Sequence, residues 1–183
     1  MGPFQLWLVN KLSMVPTVAA FMRTDWGWPA VESVHFIGLT LLFGSIAAWD
    51  LRLLGMAKRV PIAAFHRLVP FAVLGFVINA ASGSMFLMTD PDQYIYNPAF
   101  HFKLLFLALA GLNVLVFYVT MFRRMKARSL EAPAPHFAKF SGAASLAFWI
   151  AVIICGRLIT FYRPIPCDED IRPMGFIAHC IIK

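Results

Sequence analysis

Charge is what this sequence has least of. Of its 183 residues, 14% are charged and only 9 are acidic, against roughly a quarter charged in a soluble domain. With 60% hydrophobic residues and a mean hydropathy of +0.73, the chain has more apolar surface than one small core can hide, and lipid is its better solvent. Cysteine is also scarce: the 3 present have no zinc-like spacing, which argues against a structural metal. There is no Cys-x-x-Cys-His run, so covalent c-type haem attachment is not indicated. The first 23 residues lack a basic start, and Lys11 and Pro16 interrupt their apolar stretch, so no cleavable signal peptide is expected. No basic and aromatic run suggests RNA or DNA, and the net charge of +7 gathers in two loops, which is a topology signal and not a nucleic-acid surface.

Long apolar runs are what the sequence does have. Four segments reach the roughly 20 residues that a bilayer-crossing helix needs: 29–50, 61–88, 98–122 and 135–162. Each opens near a proline, a favoured first-turn residue, and Thr89-Asp90-Pro91 closes the second. The expected fold is all-α: an up-down four-helix transmembrane bundle over 29–162, an N-terminal amphipathic interfacial helix within 1–28, and an outer-side tail over 163–183. For the stretch from Phe4 to Met22 a fifth span is the alternative, with Lys11 and Pro16 at its centre favouring the interface. Trp26 and Trp28 then fall at headgroup level.

Loop charge orients the bundle. Arg52, Lys58 and Arg59 lie between spans one and two, and Arg123, Arg124, Lys126 and Arg128 between spans three and four. The loop between spans two and three carries Asp90 and Asp92 and no Lys or Arg. The positive-inside rule puts the two basic loops in the cytoplasm. The middle loop and the tail then face the periplasm across a bacterial inner membrane. Cys167 and Cys180 share that tail, as a disulfide in an oxidising compartment or as two separate thiols.

Each span carries one histidine near its start: His35, His66, His101 and His136. An ionisable side chain inside a bilayer is costly and by default a functional candidate. Spans one and three start outside, so His35 and His101 match in depth; His66 and His136 match near the inner face. In an up-down bundle spans one and three are diagonal, as are two and four. The pattern offers two bis-histidine sites for a flat macrocycle, one near each face, with all four histidines as iron ligands. The alternative for each is a headgroup anchor. Arg67 and Lys139 beside the inner pair, and Lys103 and Arg157 at the outer end, are candidate propionate partners or snorkelling cations. Gly38, Ala108, Gly111, Gly142, Ala143, Ala144 and Ala147, with Asn79, Ala80 and Gly83, leave room for a cofactor or let helices pack closely. Glu32 stands one turn before His35, to orient its ring or to cap the helix. Asp50 and Arg52 read as a local ion pair, and Asn79 and Asn113 as bonds between helices. Met85 and Met88, with Met174, His179 and Cys180, are soft groups on the outer side.

The stretches Trp28-Pro29…Glu32…His35…Gly38, Gly44…Asp50-Leu51-Arg52-Leu53-Leu54-Gly55, Asn97-Pro98…Phe100…Lys103 and Leu112-Asn113 resemble a family of small bacterial multi-pass membrane proteins, across roughly residues 5 to 160. That resemblance implies fold and topology but no activity. The histidine layout is also similar to that of small di-haem b-type cytochromes, whose four-helix core passes electrons between quinone and a partner. The similarity implies two low-spin haem b groups and an electron-transfer subunit rather than a stand-alone enzyme. Its partners would be the lipid bilayer, the quinone pool and a membrane or periplasmic redox protein, and it would act as a homo-oligomer or within a larger complex. The short loops depart from that group, so no quinone site carries over. Two rivals stand beside this reading: a cofactor-free accessory subunit, and a copper or small-solute transporter. No discontinuous helix pair or inverted repeat supports transport.

Overall fold

The computed structural model describes residues 3–12, 16–57, 59–122 and 135–162, and every regular element among them is helical. Lys58, the basic residues 123, 124, 126 and 128, and the whole tail with Cys167, Met174, His179 and Cys180 lie outside these described residues. The first two helices are short: α1 (Pro3–Leu12) and α2 (Pro16–Met22). α3 (Gly27–Leu54) is long. α4 (Ile62–Phe65) and a 3₁₀ turn over His66–Leu68 lead into α5 (Val69–Thr89), and α6 (Pro91–Ile95) is a single turn. α7 (Pro98–Phe117) runs into a π-helical turn over Tyr118–Phe122, and α8 (His136–Phe161) completes the set.

Four helical stretches are long and apolar enough to cross a membrane: Gly27–Leu54, His66–Thr89, Pro98–Met121 and His136–Phe161. Their outer faces suit lipid, with Phe36, Ile37, Phe71, Leu115 and Val119 among the exposed large side chains. Helix α3 outruns its expected end at Asp50. Asp50 and Arg52 are both buried, and the helix continues to Gly55, whose φ of 107° gives the left-handed turn that ends it. Arg52 Nε donates to the Val60 carbonyl at 2.8 Å. The described N-terminal residues form the helical stretches Pro3–Leu12 and Pro16–Met22, of 10 and 7 residues, about 15 and 10 Å long. They pack at the end of the bundle where α6 lies, α1 against α6 and α2 against α5 and α3. Met22 there is buried with Val31 and Phe86, Trp28 packs on Phe86, and Trp26 is exposed.

Neighbouring long helices run antiparallel. Along α3, Gly38, Leu42 and Trp49 meet Asn79, Gly75 and His66 in falling order. Along α7, Asn97, Lys103 and Asn113 meet Ile159, Gly156 and Ser141 in the same way. α3 also packs along α8, with Leu53 near Ala138 and Leu42 near Trp149 and Val152. Glycine sets these distances: a Cβ on Gly75 would stand 2.7 Å from the Gly38 carbonyl oxygen, and one on Gly142 would stand 3.1 Å from that of Asp50. The small residues at these positions are therefore spent on close packing. Asparagines finish the joints. Asn79 Nδ2 donates to the His35 carbonyl at 3.0 Å. Asn113 Nδ2 donates to the Ser141 carbonyl, and Ser141 Oγ donates back to Asn113 Oδ1, both at 3.0 Å. Asn97, fully buried, accepts from Ala99 N–H to cap α7 and donates to the Ile159 and Tyr162 carbonyls at the end of α8.

Two substitutions test this account. Gly75→Ala is expected to force α3 and α5 apart and to lower the denaturant midpoint of the detergent-solubilised chain, because the added methyl meets backbone rather than a yielding side chain. Asn97→Ala removes a helix cap and two carbonyl partners together, and should cost about 2 kcal/mol in the same unfolding measurement.

Candidate functional site

The long helices present their packed faces as stripes at alternating steps of three and four residues. On α7 the stripe is Ala99, Lys103, Phe106, Ala110, Asn113 and Phe117; on α8 it includes Ala138, Ser145, Trp149, Val152 and Ile159. His35 belongs to the corresponding stripe of α3, between Val31 and Gly38. His101 is two residues from both Ala99 and Lys103, and His136 is two residues from Ala138, so each stands about 200° round its helix from the packed face. Both are exposed. His101 lies beside the Phe100 ring. His35 and His66 are half-buried within the bundle.

The setting of His35 fixes its chemistry. Its Nδ1 lies 2.8 Å from Ser82 Oγ, and Ser82 Oγ lies 2.6 Å from the Ile78 carbonyl. A hydroxyl has one proton, and a carbonyl can only accept, so Ser82 donates to Ile78 and must accept from His35. The neutral ring therefore carries its proton on Nδ1 and leaves the Nε2 lone pair open. This is the arrangement in which a histidine serves as a metal ligand, its second nitrogen held by an outer partner. Phe86 meets the ring edge-on at 5.6 Å, and Gly83 leaves the space in front of Cε1. Lys103 turns inward from α7, its charge within Coulomb range of His35 and of Cys155 and its Nζ beside Gly156 of α8. At the depth of His35 the inward position of α7 thus belongs to Lys103.

His66 sits at the other end of the bundle. Its ring lies 6.2 Å from Trp49 and 6.1 Å from Tyr118, and Tyr118 Oη is 3.4 Å from Nδ1. Trp49 is fourteen residues beyond His35 on α3, which sets the two inward histidines about 21 Å apart along the helix. Arg67 and Arg157 are exposed, Lys139 is half-buried, and the Arg157 guanidinium rests on the Phe161 ring at 5.1 Å. Glu32 is exposed, and Met85 packs against the cluster of Met22, Val31 and Phe86. No group of three or more His, Cys, Asp or Glu side chains set to hold a metal ion occurs among the described residues. Outside the long helices, the buried Tyr96 hydroxyl is pushed above its ordinary pKa by burial and then by the Asp92 carboxylate.

Sequence reasoning passed over a cavity of about 350 Å³ in the half of the bundle nearer His66, lined from α3, α5, α7 and α8. Asp50, Trp149, Ser45, Asn113, Ser141 and Ser145 give it its few polar groups. Ser145 hydrogen-bonds to the Asp50 carboxylate, but Asp50 Oδ2 and Trp149 Nε1 are buried without a hydrogen-bond partner. Asp50 and Arg52, expected as a local ion pair, are both buried, although charge at the end of an apolar run usually marks its exit.

No protein-family model, no curated protein and no solved structure matches this chain.

The His35 tautomer is open to measurement. In ¹⁵N spectra of the histidine-labelled chain at neutral pH, His35 is expected as the Nδ1-protonated neutral ring. Ser82→Ala removes the acceptor and should mix the two tautomers; an unchanged His35 signal in that variant would contradict the hydrogen-bond assignment.

Proposed function

We propose that this chain is a membrane subunit of the b-type cytochrome kind that carries electrons across a bacterial inner membrane between a redox partner and the quinone pool. The observation that carries the reading is the open Nε2 of His35, held by a fixed Nδ1–H bond at an inward position of a long apolar helix. His35 is the anchoring ligand of an outer haem and His66 of an inner one. His101 and His136 would be the second ligands of the two-haem form, which requires α7 and α8 to rotate about their axes, since both histidines stand on the exposed side, about 200° from the packed faces. Lys103 is the cation nearest the outer site and would neutralise a propionate. In this reading the basic loops are cytoplasmic, the tail is periplasmic, and α1 and α2 lie at the outer interface. Haem would supply the one-electron chemistry; the chain supplies ligand orientation, burial and nearby charge.

A second reading, the cofactor-free accessory subunit, is favoured by the outward setting of His101 and His136. It predicts co-purification with a larger membrane complex and no haem spectrum.

One absorption spectrum separates them. The purified chain is expected to show the sharp reduced-minus-oxidised bands of low-spin b haem at about two haems per chain. His35→Ala and His66→Ala should each remove a different half of that signal. A folded, colourless, iron-free preparation refutes the proposal, and a haem content unchanged in both variants refutes the ligand set.

A further inference from the structure

The cavity beside Asp50 opens on the one side of the bundle that is not closed by close packing. α3 packs along α5 and along α8, and α8 along α7, but α5 and α7 make little contact. The cavity wall on that side is made by Val73 and Phe76 of α5 and by Gly111 and Val114 of α7, all exposed residues. A Cβ built on Gly111 meets nothing within 4 Å. The opening therefore faces the hydrocarbon of the bilayer, and what enters must be soluble in lipid.

The interior narrows the choice. Two side chains more than nine-tenths buried, Asp50 at 4% and Trp149 at 5% exposure, border this space and carry buried polar atoms without a hydrogen-bond partner. Buried polar atoms in native proteins are nearly always paired, so two orphans at one cavity mark a missing partner. Ser145, which holds Asp50, stands one turn before Trp149 on α8, about 6 Å along the helix axis. The indole N–H can only donate. The carboxyl accepts a proton-bearing oxygen when ionised and donates to a carbonyl when protonated. A compact neutral head with two oxygens can satisfy both at once, and the carboxyl group disfavours a fatty-acid anion. The rest of the wall is aromatic and aliphatic, with Trp49, Phe65, Phe117 and Tyr118 offering ring surfaces to a flat head group.

We infer that this cavity binds the ring of a quinone or quinol, with its ring oxygens on Trp149 Nε1 and Asp50 Oδ2 and its tail leaving between α5 and α7. The site is distinct from the histidine ligands, and its occupancy is read without reference to haem, so either proposal can fail alone.

The probe is a labelled decyl-tailed benzoquinone titrated onto the full chain in detergent micelles, with empty micelles subtracted. Saturable binding near one per chain is expected. Gly111→Phe places a ring across the opening and should weaken binding at least about tenfold, while Trp149→Phe, which deletes one donor, should weaken it about fivefold. Gly44→Phe is the control: Gly44 is also exposed, its added Cβ meets nothing within 4 Å and it lies outside the cavity wall, so its affinity should match the unaltered chain. Absence of saturable binding overturns the inference, as does an unchanged affinity in Gly111→Phe. Displacement of the probe by dodecanol as readily as by unlabelled quinone also overturns it, because the ring would then play no part.

Discussion

Helices in a bilayer gain nothing by burying leucine against one another, since lipid is just as apolar; they associate where backbones can come close and polar groups can pair. The approach of α3 to α5 at Gly38 and Gly75, and of α3 to α8 at Gly142, is of that kind. α3 packs closely on two long neighbours, α5 and α8, and it carries His35, Trp49 and Asp50. A side chain added at Gly75 or Gly142 would move backbone, and with it the Ser82 bond that orients His35 and the Ser145 bond that holds Asp50. Both candidate sites therefore inherit their geometry from glycine contacts that take no part in their chemistry.

The polar groups inside the bundle divide into two kinds. Asn79, Asn97 and Asn113 each spend their amide on a neighbouring helix, in bonds of 2.8 to 3.1 Å. Ser82 has its one proton on its own helix and its lone pair turned to His35. Against so complete a pairing, the free Asp50 Oδ2 and Trp149 Nε1 are exceptional. Leaving such a group buried and unmet costs about 1–3 kcal/mol each. A fold able to pair its asparagines so fully could have filled these positions with leucine and phenylalanine at no cost.

The four long helices were legible in the sequence because length, prolines and apolar runs are one-dimensional signals. Depth was legible for the same reason. Azimuth was harder. His35, His66, His101 and His136 look equivalent when counted from the start of each span, yet they differ by where they fall round the helix. The clue was present in α7: Ala99, Lys103, Phe106, Ala110, Asn113 and Phe117 step by four and three, and His101 is off that line. In so apolar a segment nearly every position looks like core, so small and polar residues mark the packed stripe better than hydrophobic ones do. The cavity was not legible at all. It depends on which pair of helices fails to close, a property of all four together.

That failure has a local cause. The α3–α5 seam has Gly38, Gly75 and Asn79; the α7–α8 seam has the Asn113–Ser141 pair and the Asn97 cap; the α3–α8 seam has Gly142. Between α5 and α7 no interhelical side-chain bond of this sort occurs among the described residues. Gly111, the glycine on that side, faces open space instead of a neighbour's backbone. Three seams are built to hold and the fourth is not, and the fourth is where the cavity with the two unpaired polar atoms opens. If the bundle were only a scaffold, a gap and buried orphans at the same place would each be a separate defect. Taken together they are the two requirements of a site reached from lipid: a way in, and something inside for a polar head to meet.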